Sequence, residues 1–265
     1  MVNIFRIFYN ILKVNNSEIQ SNNKYTASVY LRGFTIAEVL ITIGIVGIVA
    51  TLTIPVLMQN SNSKKFTNQF KKSLSTLNQS AISALAQYDM DYFLLTKTSD
   101  DSTCKNETLS GNAYSLCGLF NDTLVAQTYL GKYGTVKAAD NTSVYSATVT
   151  SLNIDNFLFF AFADGAIVAF NPNAQRCGIG VGNVLSVDMI IGGQLSNCLG
   201  FVDVNGPTPP NREVLCADEP TTLSVNTTCK VTNASMGDIF PIVFYDGTVE
   251  PVTNAATSVF LGGNW

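Results

Sequence analysis

The sequence predicts an α+β chain: a long N-terminal helical spine, transmembrane in its first half and amphipathic in its second, packed on an antiparallel β-sheet head. Three observations carry this expectation. From Phe34 to Met58 the only charged side chain is Glu38, and at ~1.5 Å per residue roughly 20 apolar residues cross the hydrocarbon core of a bilayer. Beyond that run, apolar residues recur every third or fourth position as far as Tyr88, the period of a helix with one buried face. In the C-terminal half, two Asp-Gly pairs sit between runs of aromatic and β-branched residues, the strongest short-range signal for a hairpin.

Taken in order, residues 1–33 form a basic leader, and 34–58 a transmembrane helix. Within the latter, Gly44 and Gly47 weaken the helix and Pro55 is expected to kink it, because proline removes a backbone donor and its ring crowds the preceding turn. Residues 59–88 form the amphipathic half, with Phe66, Phe70, Leu74, Leu77, Ala81, Leu85 and Tyr88 as its apolar stripe. Residues 89–265 form the head, divided into a loop over 89–155 and a sheet over 156–265. Asn, Asp, Ser, Thr and Gly dominate between Asp100 and Ser151, with short apolar pieces such as Leu116–Phe120. The sheet opens with a hairpin of Phe157–Phe162 and Ala166–Phe170 around Asp164-Gly165. It continues with a strand at Leu199–Val204, then strands at Ile239–Tyr245 and Thr248–Val252 joined by Asp246-Gly247.

Composition narrows the function. Only 13% of residues are charged, and Asn, Ser and Thr supply the polarity, which suits an exported protein. The leader carries Arg6, Lys13, Lys24 and Arg32 against Glu18, a net of +3, whereas the chain beyond Lys72 has a net of −10. So acidic a head offers no broad attraction for nucleic acid. Lys64, Lys65, Lys71 and Lys72 follow the apolar run; they suit a solvated helix face, lipid headgroups or the acidic surface of a neighbouring head. All six cysteines, Cys104, Cys117, Cys177, Cys198, Cys216 and Cys229, lie in the head. An even count in an exported domain points to disulfides, and the spacings of 13, 21 and 13 residues favour sequential pairing. Zinc is disfavoured by the absence of any histidine or Cys-x-x-Cys pair. The missing histidines also remove His-based general-base and triad chemistry; carboxylate-only chemistry stays open, but the acids form no catalytic motif, so no catalytic residues and no enzyme activity are expected. No cofactor is implied, with calcium the one weak candidate. Asp203-Val204-Asn205-Gly206 begins like a calcium loop, but Pro207 follows and no glutamate stands at the loop spacing, which favours a turn.

The stretch Arg32-Gly33-Phe34-Thr35-Ile36-Ala37-Glu38, running straight into the apolar segment, resembles the processing motif of type IV prepilins and type II secretion pseudopilins. The resemblance implies that a prepilin peptidase cuts after Gly33 and methylates the new amine of Phe34. It also gives Glu38 a partner, the cleaved N-terminal amine of a neighbouring subunit. A lone carboxylate within a membrane segment is costly and calls for such a partner. Two head segments, Phe201–Pro207 with Pro210-Asn211, and Asp238-Ile239-Phe240 leading to Tyr245-Asp246-Gly247, look like pieces of pseudopilin heads. The leader is longer than many of that family, so it is either a genuine long leader or translation starts downstream.

These readings converge on a structural subunit of a type IV pilus or type II secretion-type filament, pilin or pseudopilin. It would wait in a bacterial inner membrane as a single-pass protein, head outside, before an assembly platform and its ATPase draw it into a filament. Its expected partners are the peptidase, other subunits, the platform and the lipid bilayer. The alternative is a single-pass anchored module whose head binds a ligand or surface without polymerising.

Overall fold

The computed structural model describes residues 35–111, 113–136, 145, 150–180 and 182–262. The expected leader, with Gly33 and Phe34, lies outside the described residues. The chain divides into two units, residues 1–50 and 51–265.

Helix α1 (Ile36–Tyr88, 53 residues) begins in the first unit and continues through the second. It is long and apolar enough to cross a membrane, and none of its most apolar window is buried. Ile41, Ile45, Ile48 and Leu52 are all more than half exposed, as expected of a helix that is apolar all round. Pro55 lies inside α1, and the helix continues on both sides of it.

In the second unit the buried apolar positions of α1 are Phe66, Phe70, Leu74, Leu77, Ala81 and Ala84, and Ser63, Thr67, Ser73 and Ser80 are buried beside them. The expected stripe ran instead through Leu85, which is 51% exposed, to Tyr88, which is partly buried against the core. The cause is the helical repeat: 18 residues make five turns, so Ala84 stands on the azimuth of Phe66 and Leu85 overshoots it.

Among the described residues six strands follow: β1 (Thr128–Lys132), β2 (Leu158–Ala161), β3 (Ile167–Phe170), β4 (Leu199–Asp203), β5 (Ile239–Tyr245) and β6 (Thr248–Pro251). They lie in chain order, each antiparallel to the next. Every residue of β4 and β5 is buried, so the centre of the sheet is covered on both faces. Alternation explains the run Phe157-Leu158-Phe159-Phe160: neighbouring side chains point to opposite faces. Phe160 joins Phe120 and Phe170 in one aromatic cluster, and Phe159 joins Tyr145 and Phe201 in another. The first cluster extends through Phe244 to Tyr92. From α1, the Phe70 ring stacks on Phe240 of β5 at 4.2 Å.

The stretch expected as a loop over 89–155 is more ordered than that. It holds a 3-10 turn at Tyr92–Leu94, helices α2 (Asp101–Cys104) and α3 (Leu116–Thr123), and the edge strand β1. Caps explain the helices: Asp100 accepts from Ser102 N–H, and Ser115 from Gly118 N–H. A short helix α4 (Val187–Ile190) interrupts the glycine-rich β3–β4 connection. Helix α5 (Asn254–Leu261), which the sequence reading missed, is opened by the Thr253 hydroxyl accepting from Ala256 N–H and closed by Gly262 at φ 77°.

Candidate functional site

The first turn of α1 places Glu38. Thr35 precedes the helix, and its backbone N–H and hydroxyl both donate to Glu38 Oε2, at 2.8 and 3.0 Å. In return Glu38 N–H donates to Thr35 Oγ1 at 3.2 Å. This reciprocal arrangement is a capping box, and it satisfies backbone donors that the start of a helix leaves orphaned. The signal was present in the sequence as Thr-x-x-Glu and went unread. The carboxylate, an acid at the positive end of a helix, therefore has a partner within its own chain.

In the head, the cysteines are joined as Cys104–Cys117, Cys177–Cys198 and Cys216–Cys229, each pair adjacent in cysteine order. The second bridge sits at a junction. Cys177 N–H donates to Tyr92 O, Asp246 N–H to Cys177 O, and Phe244 N–H to Cys198 O. Gly178 fits there because a Cβ would stand 2.5 Å from the Phe93 ring and 2.6 Å from Asp246 Oδ1. Among the described residues one group of potential metal ligands comes together, Cys216, Glu219 and Cys229. Both of its sulfurs are spent in the disulfide.

The head segments Phe201–Pro207 and Asp238–Phe240 meet around two fully buried carboxylates, Asp203 at the end of β4 and Asp238 just before β5. Asp203 Oδ1 accepts from Asn205 N–H at 3.2 Å and its Oδ2 from the Tyr145 hydroxyl at 2.7 Å. Asp238 accepts from Asn211 and Arg212 N–H, both at 2.8 Å. The two acids thus pin both ends of the 205–212 loop to the sheet, with every carboxylate oxygen taken by a donor. Asp203 and Asn205 build a turn. Burial raises the Asp203 pKa well above the usual carboxylate range, with the Asp238 charge adding to it. Burial likewise raises Asp238. Gly237 is required beside them: a Cβ there would lie 2.2 Å from Arg212 O.

Glu107 shows the opposite balance. Burial pushes its pKa up, but hydrogen bonds from Lys97 (2.7 Å), Ser115 and Thr103 (2.9 Å) outweigh burial and hold it below the ordinary value. It ties α2 to α3. Of the lysines that follow the apolar run, Lys72 bridges to Asp164 in the β2–β3 turn at 2.7 Å, while Lys64, Lys65 and Lys71 are exposed. Chemically, these acids act as acceptors that staple loops and helix starts.

The chain matches no family model, and no curated protein and no solved structure matches it significantly.

Proposed function

We propose that this protein is a filament subunit of the pilin or pseudopilin type. In this reading it is made as a single-pass membrane precursor, cut between Gly33 and Phe34, and methylated on Phe34. The observation that carries the proposal is the position of Glu38, the one charge in a membrane-length apolar run, immediately behind Arg32-Gly33-Phe34. The amphipathic half of α1 then serves as the spine of the head; stacking of Phe70 on Phe240 supports this, as do the bonds between Asn78 and Val249. Three disulfides suit a head that works in an oxidising compartment.

The capping box refines the role of Glu38. Cleavage would put a cation one residue, at most about 3.8 Å of chain, from Thr35. The Glu38 carboxylate is then shared between its own helix start and the amine of a neighbour. The capping box also favours a second reading, a plain membrane anchor in which Glu38 does no more than start the helix.

Glu38→Gln separates the two readings, because glutamine also completes a capping box but carries no charge. With a prepilin peptidase and assembly machinery present, the filament reading expects cleaved Glu38→Gln protein at wild-type level and filament yield reduced at least tenfold. Filament yield equal to wild type would refute the charge pairing at Glu38, whereas wild-type protein that forms no filament would leave the anchor reading standing. Intact mass is the prior test: a mature protein that keeps residues 1–33 in a peptidase-positive host refutes processing altogether.

A further inference from the structure

One cavity of the second unit lies directly beyond the apolar run. It is an open pocket of ≈ 490 Å³ between the α1 turn of Asn62, Lys65 and Phe66 and the loops that carry Thr208, Arg212 and Asn233. Its lining contains two cationic side chains, Lys65 and Arg212, and no acidic one. That is unusual in a head with a net charge of −10 beyond Lys72. The site is built rather than incidental. The Arg212 guanidinium is held by the carbonyls of Ala234 (2.8 Å) and Met236 (2.6 Å), and the Asn233 amide donates to Asn60 Oδ1. The 205–212 loop forming the far wall is anchored through Asp238 to the sheet. No partner in the structure takes the Lys65 charge among the salt bridges of the described residues.

Height along α1 fixes what this cavity meets. Asn62 follows Met58 by four residues and Lys65 by seven, about 6 and 10 Å along a helix axis. The polar layer of a bilayer is roughly 5–8 Å deep on each side, and a lysine stem reaches back several ångströms towards it. With α1 spanning the membrane, the cavity mouth stands at headgroup level.

We infer that this cavity binds the headgroup of an anionic phospholipid of the surrounding bilayer, with Lys65 and Arg212 on the phosphate and the Asn62, Thr208 and Asn233 side chains around it. The site rests on the membrane-spanning reading of α1 and is independent of filament assembly. It would seat the head on the membrane surface while the precursor waits there.

The test uses the full-length, uncleaved protein in detergent micelles, mixed with phosphatidylglycerol or phosphatidylcholine and examined by native mass spectrometry for retained lipid. Wild type is expected to retain phosphatidylglycerol at least tenfold better than phosphatidylcholine. Lys65→Glu, a change at an exposed position, is expected to abolish that preference, while Lys105→Glu, an exposed control on another part of the head, keeps it. Circular dichroism verifies that each variant is folded. Equal retention of the two lipids, or a Lys65→Glu variant that behaves as wild type, overturns the inference. So does binding of inorganic phosphate without lipid retention, which would make the ligand a soluble anion. Because the measurement is made on uncleaved monomer, failure of processing or polymerisation leaves its outcome unaffected.

Discussion

Phe70→Ala asks whether the amphipathic half of α1 is held to the sheet by the contacts described above. The Phe70 side chain is fully buried, stacked on Phe240 at 4.2 Å and edge-on to Phe260 at 6.5 Å. An aromatic side chain buries ~150–250 Å². At ~25 cal/mol per Å² this is worth about 4–6 kcal/mol, part of which alanine retains. Measured Phe→Ala losses in cores are ~3–5 kcal/mol, of which a ring pair accounts for ~0.5–1.5 kcal/mol. The expected loss is therefore about 4 kcal/mol, a large share of the ~5–15 kcal/mol available to a domain. Leu85→Ala is the internal control. Leu85 is 51% exposed, so the expected change is within ~0.5 kcal/mol. Urea unfolding of a soluble fragment starting at Ser63, disulfides intact, followed by far-UV circular dichroism, measures both. A Phe70→Ala loss below about 1.5 kcal/mol refutes the packing argument. A Leu85→Ala loss exceeding that of Phe70→Ala would restore the stripe drawn from the sequence.

Two further outcomes are expected from the head. Asp203 and Asp238 have raised pKa values in the fold, so the native state holds protons that the unfolded chain releases above about pH 3.9. The stabilisation from that protonation is complete below the unfolded pKa and is lost as pH rises through the folded one. Each group contributes a slope of at most ~1.4 kcal/mol per pH unit. Relative to Asp203→Asn, wild type should gain stability as pH falls from 7 towards 4, read as urea midpoints across that range; parallel midpoints would show that the pair does not titrate in the fold. Replacing both Cys177 and Cys198 by alanine should cost about 3.3 kcal/mol in the chain-entropy model for a separation of 21 residues. A loss under 1 kcal/mol, read from thermal unfolding, would mean that the unfolded loop is already constrained.

What the sequence disclosed depended on how local each signal was. The hairpin around Asp164-Gly165 and the pair of strands around Asp246-Gly247 were legible because turn chemistry and alternation occupy a few adjacent residues. Each end of these strands lies within one residue of its expected bound, and Ile239–Tyr245 matches at both ends. The cysteines pair with sequence neighbours, so their spacing was informative. The edge strand Thr128–Lys132 was hidden, because its side chains are only partly buried and its pattern does not alternate cleanly. Its partnership with β2 carries a register irregularity between Tyr129 and Gly131. The carboxylate latch was hidden for another reason. Asp203 and Asp238 lie 35 positions apart, and only the antiparallel pairing of Asp203 with Ile239 brings the two strand ends together. At Glu38 the local capping signal was legible, but the membrane context drew the reading towards an intermolecular partner.

The last strand has a consequence for how copies of this chain can join. An outermost strand ordinarily leaves a ladder of N–H and C=O groups open to any passing strand. At β6, Val249 N–H donates to Asn78 Oδ1 at 2.6 Å, and Asn78 Nδ2 donates to Val249 O at 3.3 Å. One amide side chain from α1 thus imitates the backbone of a seventh strand and occupies the position such a strand would need. Recruitment of a donor strand from another molecule is blocked at that point. On this edge of the sheet, copies of the chain must meet through surface side chains and not through a shared strand.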